Sequence, residues 1–406
     1  MSIEMLTLKV ISPLALHQRR SSEQFAPTLD YIAGSAIRGA LADLYLSGKA
    51  ERANEELFKR LFLSEEVRYS DCFPSKGQGN DLTHLWPATA ATCKRFFEDH
   101  FAESLTDQLL LLELLREWSE PNLSGLDFWY HCPHCHGKRS RVESLGYYTS
   151  VEQPERLKVT RRMMANTAVR RKTRTAAPAM LFSHEVIEES SAHERGEAKF
   201  FRGAVRLPDD LSLRANLLEL APHHQELAVG YGRSRGLGQL RVETWGTPRS
   251  EAASVRERFA ALNETASQLW QKVGRVPQGQ YFSLTLQSHL ALQDEEGQPV
   301  LGDIQPTHLG LPADVERCRV VLSAEVVPGW NAAQEMPKSD CWVLERGSVL
   351  LFRLPLGVDP EPTLKRLEAI AANGVGARRS EGFGQVAVCD PFHYHFVSQT
   401  LKGGVA

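Results

Sequence analysis

The chain has 406 residues, 42% of them hydrophobic, which is enough for two or three domains that each bury a core. A net charge of −3 excludes a uniformly basic protein, so contact with a polyanion must use local patches. Seven Cys, no basic leader after Met1 and no apolar run of membrane-spanning length imply a cytoplasmic protein, where clustered Cys bind metal more often than they form disulfides.

Residues 3–11 alternate imperfectly and predict a strand. Gly34 and Ser35 then open a predicted helix with Ile37, Leu41 and Leu44 on one face. A helix N-terminus suits a phosphate, and Arg38 would stand on its first turn. Residues 47–155 look like an insertion, with a Leu-rich helical run over 105–118, Pro and Gly breaks and a Cys/His cluster. From Arg156 to Arg174 there are eight basic residues and no acid. Strand-like segments follow over 181–186 and 199–207, then a glycine-rich loop from Gly230 to Leu240 that reads G-Y-G-R-S-R-G-L-G-Q-L, with an exit strand over 239–244.

Residues 247–277 are charged and helix-like, a connection. A second unit begins with a strand over 281–287 and continues with strands near 319–326 and 348–354 and a helix over 360–372. A second glycine loop, G-V-G-A-R-R-S-E-G-F-G-Q-V from Gly374 to Val386, precedes a strand over 384–389. Strand–helix–strand–strand–helix–strand is the order of a ferredoxin-like α+β domain.

Both loops contain G-x-G, Arg and S-x-G-Φ-G-Q-Φ, where Φ is apolar. Glycine lets backbone N–H groups approach an anion, and Arg forks onto phosphate oxygens. The bland reading is a pair of tight turns, but the repetition favours a duplicated phosphate-holding domain. The glycines lead into strands rather than into helices, which disfavours a Rossmann loop. Candidate contacts are Gly232, Arg233, Ser234, Arg235 and Gly236 in the first loop and Gly376, Arg378, Arg379, Gly382 and Phe383 in the second. Arg161, Arg162, Arg170, Arg171, Lys172 and Arg174 form a flexible basic segment that cannot neutralise itself and would hold phosphates with little base specificity.

Cys132-Pro-His-Cys135 is a C-x-x-C knuckle. Cys93 is the third candidate ligand and His100 the choice for the fourth, with Cys72 and His136 as competitors. Four such donors around a structural zinc would staple an insertion too loop-rich to fold alone. No nucleophile motif, P-loop or carboxylate pair stands out. His17, next to Arg19 and Arg20, is the candidate general base for RNA cleavage, and Asp30 a candidate acid, each weighed against a surface or capping role.

Residues 31–39, Y-I-A-G-S-A-I-R-G, resemble the I-P-G-S-S-L-R-G turn of the RAMP superfamily of CRISPR proteins, with Ala33 in place of Pro. The loops ending Gly236-Leu-Gly238 and Gly382-Phe-Gly384 resemble that family's glycine-rich loops, and the resemblance runs from about residue 3 to residue 390. Within the superfamily the chain is most similar to the Csx-ten subunits of type III-D effector complexes. The similarity is carried by the segment from Pro87 to Lys94 with His100 and the knuckle, the stretch from Arg170 to Thr175, and the second loop.

The resemblance implies two tandem ferredoxin-like (RRM-like) domains, over 1–246 and 278–395, with a helical zinc-bearing insertion in the first, a connection over 247–277 and a tail over 396–406. It implies a non-catalytic subunit that caps the repeat-derived 5′ tag of the crRNA and docks the large subunit and the first backbone subunit in antiviral defence, meeting target RNA through the complex. Helical insertions would supply protein–protein surface. A crRNA-processing endoribonuclease using His17 and a backbone subunit cleaving target RNA through Asp30 stand as alternatives.

Overall fold

The computed structural model describes residues 2–17, 25–48, 54–76, 83–117, 127–142, 146–148, 151, 157, 159–189, 200–248, 253–331, 334 and 336–403. Arg19, Arg20 and Arg156 lie outside them. The chain is mixed α+β. Strand β1 (Ser2–Val10) leads through helix α1 (Gly34–Ser47) to two short strands, β2 (Arg68–Tyr69) and β3 (Phe73–Ser75). After a long excursion come the hairpin β4 (Arg161–Val169) and β5 (Ala176–Ile187), strand β6 (Phe200–Leu207), helix α2 (Leu211–Leu220), strand β7 (Glu226–Ala228) and, past the first glycine loop, β8 (Gln239–Gly246).

Apart from the hairpin β4–β5, which forms its own sheet with Phe25–Ala26, these strands form one sheet in the order β7-β8-β1-β6-β2, with β3 also on β6. Met5, Leu6, Leu8 and Val10 are buried, and so are Glu4 and Thr7, because β1 is central and covered on both faces. Arg214 of α2 pairs with the buried Glu4. The side chain of Asp210 caps α2 by accepting from the amides of Ser212 and Leu213.

The second half opens with helix α3 (Val255–Lys272), fixed at its start by a Ser254/Glu257 capping box. Strands β9 (Gly279–Leu286) and β10 (Glu316–Val321), the hairpin β11 (Ala324–Asn331) and β12 (Met336–Leu344), strand β13 (Val349–Pro355) and helix α4 (Glu361–Asn373) follow. After the second glycine loop come β14 (Val386–Val388) and helix α5 (Phe392–Gly403). The sheet order is β10-β13-β9-β14.

Several expected boundaries move. Residues 68–75 pair with β6, so the excursion starts after Ser75, not at residue 47. The expected connection over 247–277 is largely α3, whose Phe259, Leu262, Ala266, Leu269 and Trp270 lie in the core of the second half. The expected tail belongs to α5, with Val397 and Leu401 in that same core. The first crossover of the second half carries a single turn, Pro306–Leu309, in place of a full helix. The strand expected near 319–326 is split between β10 and β11, and the hairpin that follows had no sequence signal assigned to it.

The excursion does not pack as free surface. Its helix Leu109–Glu117 places Leu109, Leu110, Leu111 and Leu114 in the core of the second half, beside Tyr281, Phe352 and Trp270. Glu117 accepts from the Trp270 indole and the Tyr281 hydroxyl, both at 2.9 Å, and pairs with Arg353 at 2.9 Å. Arg319 donates to the Leu112 carbonyl at 2.7 Å. The segment expected to supply protein–protein surface therefore joins the two halves of its own chain.

Candidate nucleic-acid interface and metal centre

The glycine loops are one structure built twice. In the first, the Val229 amide donates to the Gly238 carbonyl at 2.9 Å, Tyr231 to Ala15 at 2.9 Å, Gly238 to Pro13 at 2.9 Å and Gln239 to the Ser12 hydroxyl at 2.9 Å. In the second, Val375 donates to Gly384 at 3.0 Å, Ala377 to Ala291 at 2.9 Å, Gly384 to His289 at 2.7 Å and Gln385 to the Ser288 hydroxyl at 2.9 Å. This matching equates Gly230 with Gly376 and Gly232 with Arg378, two positions away from the alignment of the G-x-G pairs. A Cβ on Gly238 would stand 2.0 Å from the Val229 carbonyl oxygen, and on Gly384 1.9 Å from that of Val375. These two glycines close the turn by direct backbone approach.

The hairpins are duplicated as well. Leu14 and Ile187 exchange backbone hydrogen bonds at the foot of β5, and Leu290 and Leu344 do the same at the foot of β12. Each unit is therefore a four-strand core with a hairpin before its third strand and a glycine loop before its last.

The two loops meet different surroundings. The second lies in the junction between the halves. A Cβ on Gly382 would stand 2.6 Å from the Tyr69 carbonyl oxygen and 3.3 Å from Gly34 Cα. Arg378 pairs with Glu381 at 2.7 Å and lies 4.4 Å over the buried Phe383 ring, while Arg379 pairs with Glu65. Arg379 and Gly382 thus face the first half across the junction, while Gly376, Arg378 and Phe383 pack within the second half. The helix start beneath them is also occupied. The Gly34 amide donates to the Asp71 carboxylate at 2.8 Å, and Arg38 donates to Ser380 at 3.1 Å and approaches Glu381 at 3.6 Å. Burial pushes the Asp71 carboxyl up, against the pull of His289, the Gly34 amide and Arg346. The Gly34 amide therefore holds an internal carboxylate at the helix N-terminus, with Ser35 half-buried beside it and Arg38 turned to Ser380 and Glu381 of the second loop.

The first loop is open. Arg233, Ser234, Arg235 and Gly236 are exposed, and Gly232 and Gly236 flank their single turn in left-handed conformations with φ of 77° and 81°. Arg233 has one loose exposed partner, Asp43, at 3.5 Å. Arg235 has no ion pair among the described residues.

The basic stretch is an ordered hairpin, with Arg170, Arg171, Lys172 and Arg174 exposed on its tight turn and unpaired to any acid among the described residues. Arg161 and Arg162 are neutralised from outside the stretch, by Glu185 at 3.6 Å and Glu189 at 3.1 Å. The hairpin base and the first loop converge on a cluster that sequence reading had not assembled. His17, His184 of β5 and Tyr231 of the loop have ring centroids 5.1 to 5.3 Å apart. Burial and then His184 hold the His17 imidazole below its ordinary value, and burial and then Arg235 do the same to His184. The other catalytic candidate, Asp30, is spent on structure, accepting from Tyr147 at 2.7 Å and Arg346 at 2.9 Å.

The metal candidates meet as the spacing implied. One donor atom from each of Cys93, His100, Cys132 and Cys135 lies within 4.8 Å of the others. Cys93 Sγ is 3.5 Å from Cys135 Sγ, and Cys132 Sγ is 3.4 Å from His100 Nδ1, separations that suit tetrahedral ligands at about 2.0–2.3 Å from zinc. The knuckle is closed by Cys132 donating to Gly137 at 2.8 Å and His136 to Cys132 at 3.0 Å. Burial raises the Cys93 thiol, but the Phe96 amide, His100 and Cys135, then the Arg95 amide, draw it down to about 6. A thiolate is the form a metal binds. Of the competitors, Cys72 is buried beside Gly203 in the first sheet, and His136 lies outside the donor set.

The chain is thus a two-unit α+β protein with an exposed basic hairpin, an open glycine loop and a four-donor Cys/His cluster on a cross-braced frame. The profile of the RAMP superfamily matches residues 7–241, more than half of the chain, and the protein belongs to that superfamily. Among solved structures it is similar to a chain of the type III-B Cmr-beta complex bound to cognate target RNA and AMPPnP, at 12% identity over 86% of each chain with a TM-score of 0.40. It is also similar to a CRISPR-associated protein Cas6, at 9% identity over 95% of this chain and 98% of that one with a TM-score of 0.36. A third is Cmr4 (Cas7) of Pyrococcus furiosus, at 12% identity over 60% and 99% with a TM-score of 0.24. No curated protein matches the sequence.

Proposed function

We propose that this RAMP protein is a non-catalytic, RNA-holding subunit of a type III, III-D-like, CRISPR effector complex. Each unit is a ferredoxin-like domain, as the strand orders β8-β1-β6-β2 and β14-β9-β13-β10 and the helices before β8 and β14 support. Zinc bound by Cys93, His100, Cys132 and Cys135 is structural. All four donors come from the chain, which leaves no open coordination position for chemistry.

The observation that carries the reading is that the hairpin β4–β5 carries the unpaired cations Arg170, Arg171, Lys172 and Arg174 at its turn and, nearer its base, meets the first loop with its exposed Arg235 at the His17–His184–Tyr231 cluster. A chain of net charge −3 that gathers unpaired cations on one hairpin and one loop is suited to a local polyanion. Phosphate contacts there fix position without reading sequence, which suits a constant element such as the repeat-derived 5′ tag of a crRNA. The large subunit and the first backbone subunit are the protein partners of this reading. Tagging the protein in its native host, purifying it gently and sequencing the RNA that co-purifies tests it. Short RNAs sharing one repeat-derived 5′ end are expected, intact in the presence of EDTA. A partner-bound preparation with no enriched RNA would overturn the proposal.

A further inference from the structure

We infer that His17, His184 and Tyr231, beside Arg235, form a site for one unpaired nucleobase of a single-stranded RNA, with Arg235 taking the phosphate next to it. The inference rests on the RNA-holding reading above and names where a base is gripped.

The rings come from three separate segments: the chain after β1, the end of β5 and the first glycine loop. His17 and His184 stack at 5.1 Å with 21° between planes, Tyr231 lies 5.3 Å from His17 and 5.2 Å from His184, and Phe182 backs His184 edge-on at 5.1 Å. Tyr231 is 46% exposed and offers its ring to solvent.

The duplicated scaffold separates what the fold needs from what it does not. The matched hydrogen bonds equate Tyr231 with Ala377. The paired feet of the hairpins equate His184 with Cys341, each three residues before the closing Ile187 or Leu344. His17, bridged to Thr28, stands two residues after Ala15, as Gln293, bridged to Pro299, stands two after Ala291. The second unit therefore closes the same loop, hairpin and bridge with no ring at any of the three positions. Packing the scaffold does not call for the cluster.

Polar chemistry points the same way. Nε2 of His17 and both ring nitrogens of His184 are shielded from solvent and have no hydrogen-bond partner among the described residues. What the cluster offers to solvent is therefore ring face rather than ring nitrogen, and the half-exposed Tyr231 supplies it. Arg235 is exposed and unpaired among the described residues, whereas its counterpart Glu381 is held by both Arg378 and Lys338. An exposed π-face with an unpaired guanidinium beside it matches a base with its phosphate.

The test uses the full-length chain and a series of synthetic single-stranded RNAs, each with 2-aminopurine at one position, and their abasic counterparts. The expected result is fluorescence quenching at one position on binding. Tyr231→Ala should abolish that quenching and weaken binding about ten-fold, Tyr231→Phe should retain both, and an abasic residue at that position should weaken the wild type but not Tyr231→Ala. A quadruple Ala variant at Arg170, Arg171, Lys172 and Arg174 reports on RNA holding itself. If that variant loses RNA while Tyr231→Ala and His184→Ala bind as the wild type does, the base site is overturned and the RNA reading stands. If the wild type binds no RNA, both fall. Cleavage of the RNA in EDTA that depends on His17 and His184 would assign the rings to catalysis and overturn the holding role. Loss of a protein partner with RNA binding unchanged would assign Tyr231 to a protein interface.

Discussion

Single residues decide where this chain is rigid. Gly238 and Gly384 sit against carbonyl oxygens, while a Cβ on Gly236, at φ 81°, would meet nothing within 4 Å. Gly236→Ala should cost only the left-handed strain, about 1–2 kcal/mol. Gly238→Ala and Gly384→Ala should lower the melting temperature well beyond that, because the clash is with backbone. Equal losses at all three positions would mean the loops yield to the added methyl. Buried His393 has a different dependence. Its Nδ1 is 3.0 Å from Asp107 and its Nε2 2.7 Å from the Thr285 hydroxyl. Burial lowers the imidazole, but Asp107 and then Asp390 outweigh it, so the folded value lies above the ordinary 6.5. The charged pair's contribution is then complete below the unfolded value and lost as pH rises through the folded one. The urea midpoint should fall across that window in the wild type and lose this slope in His393→Gln. The knuckle and the Arg-bearing loop were legible as residue patterns because their chemistry is local. The ring cluster was not, since His17, His184 and Tyr231 meet only after the sheet has formed.

At the scale of elements, the Cys/His knuckle and the Leu-rich helix Leu109–Glu117 belong to one brace. The ligand Cys93 ends the strand Ala90–Cys93, which pairs with both Thr106–Asp107 and Arg139–Arg141. Thr106–Asp107 leads directly into that helix and carries the carboxylate that receives His393. With zinc bound there as proposed, its removal should therefore loosen more than the loop that binds it. With a strong chelator, hydrogen exchange should rise in Leu109–Glu117 and in the parts of α3 and β9 that it covers, while β1 and β6 keep their protection. Loss of protection confined to residues 93–104 and 127–139, with Leu109–Glu117 still protected, would show the brace to be independent of the metal. The helical period of Leu109–Glu117 was plain in the sequence, but its docking partner was not, because an apolar face says that something covers it and not what. The hairpin β11–β12 was missed for a related reason. It has no Asn-Gly or Asp-Gly turn, and its alternation is broken by a bulge between Val327 and Gly329.

Across the whole molecule, the repeat was legible as two copies of a glycine loop, whereas the unequal use of the copies was not. One copy faces solvent, and the other locks the halves together with Arg68 donating to Asn373 at 3.0 Å and Arg38 to Ser380 at 3.1 Å. A second lock is Arg346. Its guanidinium lies 3.7 Å over the Tyr31 ring and donates to Tyr147 at 2.8 Å and Asp30 at 2.9 Å, tying the second half to both the first sheet's margin and the excursion. Arg346→Ala leaves the half-buried Asp30 carboxylate with only Tyr147 and the looser Arg161, 4.0 Å away, and uncovers the Tyr31 face, so it should destabilise the junction. Because the brace and both locks cross the junction, the wild type should unfold in one transition, with equal calorimetric and van't Hoff enthalpies. Arg346→Ala should unfold in two, and a single lowered transition in that variant would place the coupling in the excursion's hydrophobic contact with α3 and β9 instead of in the polar locks.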